Sequence, residues 1–133
     1  MSVDVLRGPA APSIAGYQVR AAGHEWDAVR APVAVGRIAL ALLGEHNGAV
    51  IEDPREPALY WFVWQGTTTR WDVPGTRPLG MDQHLVVPGR CRTRGPGPWW
   101  RIRPDDRWFF TDPIALRGAL LTAGGHGQSR RLR

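Results

Sequence analysis

From Gly44 onward the chain is cut by glycine and proline at short intervals, and this punctuation constrains the fold more than any other feature. Turn signals stand at residues 52–57, at Gln65-Gly66, Pro74-Gly75, Pro88-Gly89 and Pro96-Gly97-Pro98. Proline lacks the N–H that a helix interior or a central strand must donate, and glycine favours turns that other residues resist. Long helices are therefore ruled out across the middle of the chain. Short strands fit between the signals, at residues 49–51, 58–64, 67–73, 84–87 and 99–103. The second of these is aromatic and β-branched, and it pairs with the first as a hairpin with a long loop.

Helices are expected only at the two flanks. Residues 32–43 place Pro32 at the first helical position, Val35, Ile38, Ala39 and Leu42 on one apolar face, and Gly44 just past the end. Residues 112–124 open with Asp112 as N-cap and Pro113 at the next position, and their apolar residues run to Gly124-Gly125. Earlier, residues 17–20 suit a short strand and 24–31 a loop or strand. The expectation is α+β: one small domain over residues 17–125, mostly an antiparallel sheet of short strands flanked by two helices. Residues 1–16 read as a flexible arm and 126–133 as a disordered basic tail.

Several classes are excluded or set aside. A chain of 133 residues with 43% apolar content and seven Trp can build a core. Its longest apolar run, residues 38–44, is far below the roughly 20 residues of a membrane span. No secretory leader is visible, a single cysteine rules out an intrachain disulfide, and the cytoplasm is the expected compartment. Oligomeric state is not readable.

Charge divides the chain. All 17 cationic side chains are Arg, a bias that also fits a GC-rich genome. Residues 1–89 hold seven Arg against nine Asp and Glu, net −2, whereas residues 90–133 hold ten Arg against three Asp, net +7. Codon bias does not create that asymmetry. Within the basic part, Arg90, Arg92, Arg94, Arg101 and Arg103 surround Trp99 and Trp100. Arginine forks onto phosphate and stacks on rings, and tryptophan stacks on bases. These seven residues form the candidate nucleic-acid-binding segment. Trp99 and Trp100 must point to opposite faces of a strand, so one of them belongs to the core. The plainer reading is a strand with solvated or paired arginines.

A second constellation consists of Glu52, Asp53 and His84. The order Gly48-Ala-Val-Ile-Glu-Asp53, Leu59-Tyr-Trp-Phe-Val63, His84-Leu-Val-Val-Pro88 and Gly95 to Trp99-Trp100 resembles the core of small bacterial primase–polymerase domains of the archaeo-eukaryotic type. The likeness covers about residues 48–103. It implies a strand end bearing two metal-binding carboxylates and a later strand whose His contacts nucleotide phosphate. In that family the two acids are separated by one residue. Here they are neighbours and face opposite sides of a strand, and no acid follows His84 until Asp105. The resemblance thus implies a non-catalytic relative that keeps a binding surface, with no metal or cofactor and no assigned catalytic residue. Glu52-Asp53-Pro54 also reads as an ordinary turn.

Two weaker candidates remain. His24 and Asp27 could meet as ligands or proton carriers, although a loop with a core Trp26 is the blander reading. Cys91 lies between two arginines, which lower a thiol pKa, but no base is near in sequence. Three readings stay open: a non-catalytic nucleic-acid or nucleotide-binding module, a regulatory module contacting a protein partner through exposed Trp and Arg, and a small enzyme or ligand-binding protein with an aromatic cleft.

Overall fold

A computed structural model of the chain describes residues 16–104 and 108–131. The elements run β1 (Tyr17–Ala21), β2 (Asp27–Pro32), α1 (Val33–Leu43), β3 (Val50–Asp53), β4 (Ala58–Val63), β5 (Arg77–Leu79), β6 (His84–Pro88), β7 (Trp99–Ile102) and α2 (Pro113–Arg131). Five strands form an antiparallel sheet in the order β5-β2-β4-β3-β7, and β1 pairs with β6 as a separate antiparallel ribbon. The fold is α+β, as the punctuation implied. Apart from Gly16, the expected N-terminal arm lies outside the described residues.

β4 sets the layering, because all six of its residues are buried. A strand covered on both faces needs no polar alternation. Leu59, Trp61 and Val63 pack with Ala39 and Leu43 of α1 and with Leu116 and Leu120 of α2. Tyr60 and Phe62 pack on the other face with Trp26, Trp100 and Phe109, beneath Leu85 and Val87 of the ribbon. The molecule is therefore helices, sheet and ribbon in three layers. α1 approaches β4 so closely that a Cβ at Gly36 would lie 2.8 Å from Leu59 Cδ1, which explains a glycine inside a helix. Asn47 fastens the helix end. Its side-chain amide donates to the carbonyls of Leu40 and Gly44 at 3.0 and 2.8 Å, and its oxygen accepts the buried Trp61 indole N–H at 2.9 Å.

Two expectations need correction. Residues 67–73 are not a strand. Thr67–Arg70 form a 3-10 turn, because the buried Asp27 carboxylate accepts from Gly66 N, Thr68 N and the Thr68 hydroxyl and removes those donors from any ladder. Asp27 is thereby a structural clamp, and His24 is exposed. The last helix does not stop at Gly124-Gly125 but runs through Arg131. Each glycine costs about 1 kcal/mol in a helix interior without forbidding it. The strand expected at residues 99–103 forms as Trp99–Ile102, and residues 89–98 before it form a loop.

Candidate functional site

Glu52 and Asp53 end β3 and point to opposite faces. Glu52 is buried on the helix side, where Arg101 contacts its Oε1 at 2.7 Å and Arg37 its Oε2 at 3.5 Å. The Arg101 guanidinium also lies 5.2 Å from the centre of the Trp99 ring. Half of the candidate Arg/Trp pairing is thus taken up by an internal cluster. Trp100 turns inward as core, donating its indole N–H to the carbonyls of Pro88 and Gly89 at 3.1 Å each. The strand rule for adjacent tryptophans holds, with Trp99 half-buried and Trp100 buried.

Asp53 faces the ribbon side. Arg55, two residues on in the turn, wraps back so that its backbone N and Nε reach Asp53 Oδ1 at 3.0 and 3.1 Å and its Nη2 reaches Oδ2 at 3.2 Å. Burial pushes this carboxyl up. The hydrogen bonds from Arg55, with the charges of Arg55 and Arg30, outweigh that and hold it below the usual carboxylate range. Beside it, burial pushes the Tyr60 phenol up, against a hydrogen bond from Arg30.

His84 begins β6 and reaches the same place. Asp53, Arg55, Glu56, Tyr60 and His84 line a cleft of about 150 Å³. Arg55, Val86 and Pro98 also belong to a neighbouring cleft of about 510 Å³, whose far side is Tyr17, Arg92 and the turn at Pro96-Gly97. The two make one groove between the 53–57 turn, the ribbon and the 89–98 loop. At its far end the Arg92 guanidinium lies 4.6 Å from the Tyr17 ring centre and donates to the Pro96 carbonyl. Its Nε is buried without a partner. Tyr17 donates its hydroxyl to the same carbonyl at 2.8 Å. Gly97 adopts φ 80°, and a Cβ there would lie 2.4 Å from the Tyr17 oxygen, so a glycine lets this corner close.

The candidate residues therefore divide. Asp53, His84 and Arg92 meet along the groove, and Arg94 stands exposed on the loop that walls it, with Arg90 half-buried in the same loop. Glu52, Trp99 and Arg101 lie on the helix side, Trp100 in the core, and Arg103 half-buried just beyond β7. Cys91 is exposed. Arg55 and Tyr17 escaped the sequence reading. Arg55 carried a signal in its spacing, since an Asp commonly bonds the backbone two residues later. Tyr17 carried none, because only the pairing of β1 with β6 places it.

A divalent metal, implied by the primase–polymerase likeness, does not fit these residues. Glu52 is on the wrong face, the Asp53 oxygens are engaged by Arg55, and among the described residues no three His, Cys, Asp or Glu side chains converge. Among the described residues no helix is long and apolar enough to cross a membrane. No family model matches the chain, and no curated protein or solved structure does either.

Proposed function

We propose that this chain is a non-catalytic module that binds nucleic acid or a nucleotide through the groove between His84 and Arg92. The observation that carries the reading is the meeting of Asp53 and His84 in one cleft, continuous through Arg55 with a second cleft bearing Arg92 and Tyr17. Forked guanidinium donors and an imidazole suit phosphate oxygens, and the buried, unpartnered Nε of Arg92 is a donor in need of an acceptor. Arg90 and Arg94 extend the basic wall along the loop. The order of Asp53 and His84 is also the one the primase–polymerase likeness implies. Their surroundings favour binding over phosphoryl transfer, since Arg55 already engages both oxygens of Asp53.

The test is fluorescence anisotropy with a labelled single-stranded oligonucleotide and, separately, with a labelled nucleoside triphosphate at low salt. Binding is expected, and Arg92→Ala weakens it about tenfold or more, a hydrogen bond to a charged group being worth about 1.5–3 kcal/mol. Arg101→Ala, which disturbs the internal Glu52 cluster instead, leaves affinity near that of the parent. No binding at low salt, or equal losses in the two variants, removes the reading.

One observation favours a protein-contacting role as well. Trp64 and Trp108 are about half exposed and stand on one cleft at the other end of the sheet. Of the two acids weighed for the enzyme alternative, only Asp53 shares a cleft with His84.

A further inference from the structure

Asp53 pairs with Ala58 at the start of β4, while Trp64 follows the end of that strand. The six residues between separate the two ends by about 20 Å. At the Trp64 end an open cleft of about 620 Å³ is walled by Trp64, Trp108 and Phe110, with His46 and Asp112 at its edge. Trp64 is 48% and Trp108 55% exposed. This wall is rigidly backed. Trp64 and Phe110 stack at 5.8 Å with a 32° tilt, Phe110 meets Phe109 edge-on at 5.0 Å, and Phe109 packs on Phe62 of the core at 4.5 Å.

Among the described residues the lining contains one carboxylate. Asp112 uses Oδ2 to accept from Ala115 N at 2.9 Å, as the cap of α2. Its Oδ1 has no hydrogen-bond partner among the described residues. An aromatic wall with one carboxylate beside it is complementary to a cation, because ring faces are negative and the acid supplies the counter-charge. Exposed indole rings on an open cleft suit a flat cation that can stack on them. Guanidinium is flat, stacks on indole and forks onto carboxylate. The cleft is also far larger than one guanidinium, leaving room for the residues that flank it in a chain.

We propose that this cleft binds an arginine side chain presented by a partner protein. The site shares no residue with the groove of Asp53 and His84, so it stands or falls independently of that reading. Exposed tryptophan is the residue type most enriched at the energetic centre of protein interfaces, and a rigid wall lowers the ordering cost of binding.

The test follows the tryptophan indole resonances of the full chain by NMR during titration with acetyl-Gly-Arg-Gly-amide and with its citrulline counterpart, which is isosteric and neutral. The arginine peptide is expected to shift the Trp64 and Trp108 indole signals and to leave those of the buried Trp26, Trp61 and Trp100 in place. The citrulline peptide at the same concentration is expected to shift none of these signals. Asp112→Asn keeps the helix cap, since Asn caps as well as Asp, and it is expected to weaken binding about 2- to 5-fold by removing only the charge. Trp108→Ala, at an exposed position, weakens it to a similar extent of about 2- to 5-fold. Equal binding of the citrulline peptide, an unchanged affinity in Asp112→Asn, or no shift of either indole overturns the proposal. So does concentration-dependent self-association of the free chain that Trp108→Ala abolishes, because a second copy would then be the occupant.

Discussion

Asp53 shows how one side chain reports on its surroundings. Its carboxyl is held below the usual range by Arg55 and Arg30 against the opposing effect of burial. A carboxyl whose folded pKa is depressed adds stability that is fully present above its unfolded value, about 3.9. That stability is lost as pH falls through the lower folded value. Removing the Arg55 side chain leaves burial and weakens the opposition, so Arg55→Ala is expected to raise the Asp53 midpoint in an NMR pH titration. Unfolding of the variant then begins at higher pH than that of the parent. An unchanged midpoint would mean that the bidentate contact does not persist in solution. Asn47 is a second such residue, with three hydrogen bonds from one amide group. Asn47→Ala strands the buried Trp61 indole donor and removes one of the donors to the Leu40 and Gly44 carbonyls, each of which keeps a backbone N–H partner. A loss of about 1–3 kcal/mol is expected in urea unfolding, the range for one unsatisfied buried group.

At the scale of elements, the contact of α1 with β4 is the tightest test of the packing. Gly36→Val places two methyl groups where even a Cβ would meet Leu59. Overpacking of this kind typically costs about 1–3 kcal/mol, and thermal unfolding checks it; a neutral result would show that α1 can slide. The elements also show what a linear sequence can reveal. α1, α2 and the β3–β4 hairpin were legible because caps, apolar periodicity and turn residues are local signals. β2 was read only as loop or strand, since Asp27 and Arg30 interrupt its apolar pattern, although it lies between β5 and β4 within the sheet. Residues 67–73 looked extended until the Asp27 side chain, about forty residues away, claimed their donors. The site divides in the same way. The opposed directions of Glu52 and Asp53, and of Trp99 and Trp100, follow from strand geometry alone. That His84 meets Asp53 and not Glu52 depends on the ribbon folding over one face of the sheet, and Tyr17 enters only through the register of that ribbon.

For the whole molecule, the contrast between an acidic first part and a basic last part is reduced, among the described residues, by ion pairs between the two. Arg101 of the basic part is neutralised by Glu52 of the acidic part, and Arg117 lies 3.3 Å from Asp72. Beside the groove, the loop of Arg90, Arg92 and Arg94 keeps a basic character. If nucleic acid binds there, the salt dependence of affinity counts those residues and not the ten arginines of residues 90–133. Each phosphate neutralised on a single strand contributes a slope of about −0.7 in log affinity against log salt, so three contacts give about −2. Arg94→Ala is then expected to reduce that slope by about 0.7, while Arg101→Ala leaves it unchanged, because Glu52 already balances that charge. A slope near −7 would require the whole basic part to act, and would move the interface away from the groove.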